Sequence, residues 1–197
     1  MPDQRQTRPL AVDNQLLSVF SSIEKKPLWT LSALRIPVPT DLFRGPLAEM
    51  AAVVRVGVAA VVKDADDKMV MGVRKGFGAG KWQFPGGHLE VGESYFACAE
   101  RETLEETGLQ VRAEKLIAIT NDIFSETKHY ITIFVACRRV DEAQQPETTE
   151  PDKCEGWTWK SWAEVKAMLT AGEHGEQSFF LPIINLLNEH PDIETLA

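Results

Sequence analysis

Residues Gly86 to Leu109 read GGHLEVGESYFACAERETLEETGL, and the second half of that stretch decides the fold. A helix can start at a Ser94 or Glu93 cap and end at Gly108. Yet that helix carries Glu102, Glu105 and Glu106. Glu102 and Glu106 are like charges four apart, which costs roughly 0.2–0.5 kcal/mol. Glu105 and Glu106 occupy the last turn, where the helix dipole prefers cations. At about 100° per residue, Glu105 lies about 60° to one side of Glu102 and Glu106 about 40° to the other. Three carboxylates therefore share one face, and Arg101 is the only Arg or Lys in the stretch. As a bare surface this face repels itself and raises the pKa of one carboxylate. With a divalent cation the same oxygens become hard ligands.

Outward from the helix, strands and turns alternate. Upstream, AAVVRVGVAAVV from Ala51 is β-branched and apolar, as in a strand buried on both faces. KDADDK makes a turn and MVMGVRK the returning strand. Asp64, Asp66 and Asp67 do not form a calcium loop, because Met69 and Lys75 stand where its Gly and bidentate Glu belong. GFGAGKWQFPGG is a glycine-rich loop but no Walker loop, since Trp82 follows Gly80-Lys81. Downstream, QVRAEKLIAIT and HYITIFVACRR read as strands, VDEAQQPETTEPDKCE as a polar loop and GWTWKSW as a final strand. AEVKAML and FFLPIINLLNEH read as helices. Strands mixed with two or three helices predict an α/β/α sandwich on a mixed β-sheet.

The chain has 197 residues, 44% of them hydrophobic and 25% charged, enough for one buried domain over 51–197 plus an extension over 1–50. NQLLSVFSSIEKKPLW in that extension reads as a short amphipathic helix, with the segment either lying on the domain or at a dimer interface, or forming a disordered tail. The net charge of −8 argues against binding to a nucleic-acid polymer, because such proteins neutralise phosphates with Lys and Arg. An acidic protein can still take a phosphorylated small molecule when metal cations lie between them. No 18-residue apolar run exists, so no membrane span is expected. The first residues carry no signal-peptide core, and Cys98, Cys137 and Cys154 have no ligand-like spacing. Together these favour a reducing, cytoplasmic setting with the cysteines as small buried hydrophobes.

Gly87, Glu93, Arg101, Glu102, Glu105, Glu106, Gly108 and Leu109 match eight spaced positions of the pattern Gly-x5-Glu-x7-Arg-Glu-U-x-Glu-Glu-x-Gly-U, with U a bulky apolar residue. That pattern is the Nudix box, and the chain resembles the Nudix hydrolase superfamily. Thr103 at the first U position is the single departure. VRKGFGAGKWQFPGGHLEVGES, HYITIF and EPDKCEGWTW further resemble the MutT-like branch acting on oxidised or thio-substituted purine nucleotides. Ser125 and Thr127 stand where the ADP-ribose and dinucleoside-polyphosphate branches carry Pro and Tyr.

The resemblance implies a Nudix-type α/β/α sandwich, in some relatives a homodimer. It implies Mg²⁺-dependent (or Mn²⁺-dependent) cleavage of a nucleoside triphosphate to monophosphate and pyrophosphate. By the same resemblance Glu102, Glu105, Glu106 and the Gly86 carbonyl hold the metal, and Glu102 or Glu106 is the base. Arg101 orients the carboxylates and Glu93 ties loop to helix. Arg74, Phe84, Gly86, Gly87, Thr132, Leu181 and Pro182 fall at substrate-binding positions. Glu150, Asp152 and Glu155 are candidates for a further ligand, His88 for a phosphate contact, and Phe179 or Phe180 for stacking on the base. The branch carries an aromatic where this chain has Leu181. An isoprenoid diphosphate substrate and a non-catalytic nucleotide-binding module remain as alternatives.

Overall fold

The structure is a computed structural model describing residues 53–171 and 178–197. The 1–50 extension and its expected helix lie outside those residues. The elements are β1 (Arg55–Lys63), β2 (Met69–Arg74), β3 (Trp82–Gln83), β4 (Gly86–His88) and α1 (Tyr95–Thr107). There follow β5 (Val111–Ser125), β6 (Lys128–Arg139), β7 (Cys154–Lys160), α2 (Trp162–Thr170), α3 (Leu181–Glu189) and α4 (Ile193–Leu196).

One mixed sheet runs in the order β3-β2-β1-β6-β5, with β4 also on β1 and β7 also on β2. β1 and β6 are parallel and in register from Arg55↔Tyr130 to Lys63↔Arg138, whereas the other pairings are antiparallel. The β1–β2 turn closes on Asp64, whose Oδ1 accepts from the Asp66 and Lys68 backbone N–H groups at 2.8 and 2.9 Å. Asp64 therefore serves the turn, which is what aspartate does in such loops.

Both faces of the sheet are covered. Val58, Ala60 and Val62 of β1 join Val70, Cys98, Ala99, Leu109 and Val135 in the core beneath α1. Val61 joins Met69, Met71, Phe134, Val165, Phe179, Ile183 and Leu186 in the core beneath α2 and α3. A strand covered on both sides needs no polar alternation, which explains the unbroken apolar run of β1. All three cysteines are buried.

Several boundaries differ from the sequence reading. β1 begins at Arg55, and Val53 and Val54 before it are exposed. GWTWKSW does not stay extended to its end. The Ser161 hydroxyl accepts from Glu164 N at 3.2 Å while the Glu164 carboxylate accepts from Ser161 N at 2.8 Å, so a capping box starts α2 at Trp162. β5 runs on to Ser125, and the glycine-rich segment contributes the short strands β3 and β4. α3 opens at Leu181, after Phe179 bridges to Trp82, and a further short helix α4 follows it.

Candidate active site

Ser94 caps α1 by accepting from Ala97 N at 3.1 Å, and Gly108 ends it in the left-handed region at φ 70°. The acidic last turn is held by tertiary contacts. Trp157 Nε1 donates to the Glu106 carbonyl at 2.9 Å, Glu147 N donates to the Thr107 carbonyl at 2.8 Å, and the Thr149 hydroxyl donates to the Glu105 carbonyl. These donors from the polar loop and β7 satisfy carbonyls that the helix end leaves free. Thr103, the one departure from the box, is fully buried and donates its hydroxyl to the Ala99 carbonyl at 2.7 Å. Its methyl packs while its polar atom stays satisfied.

Arg101 gathers the carboxylates. Its Nε and Nη2 meet the two Glu93 oxygens at 2.9 and 3.0 Å, and its Nη1 meets Glu102 at 2.8 Å and Glu105 at 3.2 Å. These Arg101 hydrogen bonds hold the Glu93 carboxyl down at about 2. Glu93 also accepts from Glu90 N, which joins loop to helix. Glu102 is raised by burial, and burial pushes Glu106 up to about 7 although Gly86 N donates to it at 3.0 Å.

Gly86 must be glycine for steric reasons, and a side chain at Gly87 would displace Glu102. Gly86 has φ 153°, and a Cβ there would stand 2.1 Å from the Val58 carbonyl oxygen. A Cβ on Gly87 would stand 2.3 Å from Glu102 Oε1. The loop thus lies directly on the two carboxylates.

These groups open into a cavity of about 570 Å³. Glu102, Glu106, Gly86 and Gly87 line it, as do Arg74, Phe84, Thr132 and Pro182. Leu181 does not line it. Glu105 also lies outside it, half-exposed and paired with Arg101. The reason is angular: on the helix Glu105 and Glu106 are about 100° apart, so one side of the face cannot present both inward. Glu150 pairs with Lys153 at 2.8 Å, Asp152 and Glu155 are exposed, and none of these three carboxylates is among the residues that line the cavity. His88 lines it, with Nε2 3.1 Å from the Tyr130 hydroxyl. His129 instead bonds Asn121.

Phe179 and Phe180 part company. Phe179 is fully buried in the core, whereas Phe180 lines the cavity. Phe180 packs against Phe124 at 5.1 Å and Phe77 at 5.8 Å between ring centroids, and the Arg74 guanidinium sits 4.1 Å over its ring. Sequence reasoning missed Phe77, Phe124, Lys128 and Lys153, which also line the cavity. It missed Asp122 too. The sequence pattern points the other way for Asp122: Ile119 and Ile123 of β5 face solvent while Thr120 and Asp122 face inward, the reverse of ordinary alternation.

The donor set fits Mg²⁺ in the way that ion is commonly held, by one or two carboxylates with the rest from water and substrate phosphates. Glu102, Glu106 and the Gly86 carbonyl are the groups that would supply such a partial shell. Among the described residues no three His, Cys, Asp or Glu side chains converge to enclose a metal by themselves.

Fold and site together define an α/β sandwich with a cavity lined by two carboxylates. The sequence matches the NUDIX domain family over residues 53–180, and the chain belongs to that family. It is 41% identical over 66 residues to nucleoside diphosphate-linked moiety X motif 6 of Xenopus laevis, covering 33% of this chain and 30% of that protein. It is 49% identical over 45 residues to the oxidized purine nucleoside triphosphate hydrolase of Danio rerio, covering 22% and 29%. The chain thus spans less than a third of the length of either relative. Among solved structures, a NUDIX hydrolase from Nitrosomonas europaea is similar with TM-score 0.53 and 27% identity, over 71% of this chain and 90% of that one.

Proposed function

We propose that this domain hydrolyses a phosphoanhydride of a nucleoside triphosphate, an oxidised or otherwise modified purine nucleotide included, to a monophosphate and pyrophosphate. One observation carries the reading: a single cavity is lined both by Glu102 and Glu106 and by an aromatic cluster of Phe180, Phe124 and Phe77 with Arg74 over the Phe180 ring. Carboxylates suit a metal-bound polyphosphate, and an aromatic wall suits a planar base. The net charge of −8 favours a small nucleotide over a polymer.

Glu102, Glu106 and the Gly86 carbonyl hold Mg²⁺ or Mn²⁺ in this reading. Bound there, the cation neutralises phosphate charge and lowers the pKa of water. Arg101 keeps the Glu102 carboxylate oriented. One of Glu102 and Glu106 accepts the proton of the attacking water, and Arg74 and Lys153 offer positive charge to the phosphates at the cavity rim. Gly86 and Gly87 allow the substrate and carboxylates to approach the backbone.

The test is a panel of nucleoside triphosphates, oxidised purine nucleotides and isoprenoid diphosphates compared by kcat/KM in Mg²⁺ and in EDTA. Metal-dependent pyrophosphate release from nucleotides is the expected result. Preference for the isoprenoid diphosphates, or binding without turnover, overturns it.

A further inference from the structure

Asp122 is a carboxylate with no exposed surface and no cationic partner among the described residues. Three neutral donors satisfy it instead. Thr132 Oγ1 donates to Oδ2 at 2.5 Å, Thr120 Oγ1 donates to Oδ2 at 3.0 Å, and Asn185 Nδ2 donates to Oδ1 at 2.8 Å. The sheet brings them together. Thr120 and Thr132 are direct partners across β5 and β6, Asp122 follows on the same face of β5, and Asn185 arrives from α3.

Thr132 is also part of the cavity wall, among Phe84, Phe134, Pro182 and Ile183. Gly57, its register partner on β1, has no side chain to cover it: a Cβ built there would lie 3.7 Å from Thr132 Oγ1. A hydroxyl has one hydrogen and two lone pairs, and a carboxylate has only acceptors. With its hydrogen committed to Asp122, Thr132 Oγ1 offers only lone pairs to whatever enters the cavity.

We propose that Asp122 is a positioning residue that sets the polarity of this end of the cavity, making Thr132 an obligate acceptor that selects a ligand presenting an N–H at that point. Resting on the nucleotide reading above, this assigns the selected feature to the base: a ring imide or amide N–H, or an exocyclic amine. An incoming carbonyl or bare ring nitrogen at that point meets lone pairs and loses its hydrogen bond. Asp122 acts entirely through Thr132. An asparagine at 122 would reverse the arrangement, because its amide can donate to Thr132 Oγ1 and release the hydroxyl hydrogen into the cavity.

The experiment ranks GTP, ATP, CTP and UTP by kcat/KM on the full chain with Mg²⁺. It then compares the best of them with analogues lacking one N–H at a time, which for guanine are inosine and 1-methylguanosine triphosphate. The wild type should discriminate against at least one such analogue by about tenfold or more. Asp122→Asn and Thr132→Val should each bring that ratio to about one, and Thr132→Ser should retain it. An unchanged ratio in folded Asp122→Asn, or equal losses on both substrates, overturns the proposal. If circular dichroism shows Asp122→Asn unfolded, Thr132→Val against Thr132→Ser decides: collapse in the first with retention in the second supports it, and the same ratio in both overturns it. Wild-type turnover without discrimination removes this proposal alone. No turnover of any of the four nucleotides, nor of oxidised purine nucleoside triphosphates, removes the nucleotide reading and this proposal with it.

Discussion

Arg101 and Glu93 form a two-pronged ion pair, with Nε–Oε1 at 2.9 Å and Nη2–Oε2 at 3.0 Å. Arg101 Nη1 also meets Glu102, so this pair sets where a cavity carboxylate stands. Glu93→Gln is expected to lower stability by about 1–2 kcal/mol, read from urea midpoints. It should also lower kcat more than it raises KM, because Glu102 loses its brace. The sign of the pH effect follows from a folded pKa of about 2 against an ordinary 4.5. The stabilisation is complete above about 4.5 and disappears as pH falls through the folded value. Wild type and Glu93→Gln should therefore converge in melting temperature towards pH 2.

Glu106 has the opposite sign. Its carboxyl is raised to about 7, so the folded chain holds a proton that the unfolded chain releases near 4.5. Metal-free protein should lose stability as pH climbs from about 4.5 to 7, and Glu106→Gln should flatten that slope. Millimolar Mg²⁺ or Mn²⁺ should raise the melting temperature of the wild type at neutral pH. Absence of any shift in differential scanning fluorimetry would contradict metal binding at these carboxylates.

Glu102, Glu105 and Glu106 should not be equivalent. Glu106→Gln and Glu102→Gln are expected to reduce kcat about 100-fold or more, as removal of groups that touch the reacting assembly does. Glu105→Gln should cost less than about tenfold, since Glu105 faces Arg101 outside the cavity. Steady-state kinetics of the three single variants, with folding checked by circular dichroism, separates them.

Phe180→Ala should raise KM by roughly 5- to 100-fold for nucleotides while leaving kcat within a few-fold, given about 1–3 kcal/mol for stacking on a base. Phe179→Ala should instead unfold or destabilise the domain, by about 3–5 kcal/mol, because Phe179 lies wholly in the core. Equal effects on KM from both would contradict the division between them.

Thiol chemistry gives a check independent of the site. Burial pushes Cys98 and Cys137 up to about 12 and raises Cys154 as well. None should react with an aromatic disulfide reagent at pH 8 until denaturant is added.

The amino-acid sequence alone determined the features that depend on short-range spacing. The helix of the box, its Gly108 terminus, its acidic face and the buried strand β1 all follow from residues within a few positions of one another. Those patterns report helical or strand period and local backbone demand, which a linear reading can resolve. What depended on the tertiary structure was which way each of those residues is turned. Glu105 and Glu106 are neighbours in sequence, yet only Glu106 enters the cavity, because the loop at Gly86–Gly87 closes on one side of the helix. Phe179 and Phe180 are adjacent too, and the bridge from Phe179 to Trp82 sends one to the core and the other to the cavity. Leu181, matched to the pocket by resemblance, falls outside its wall, whereas Pro182 and Ile183, the next residues of α3, line it. Asp122 needed the structure most. Its partners Thr132 and Asn185 lie 10 and 63 residues away, and only the pairing of β5 with β6 and the docking of α3 bring them to one carboxylate.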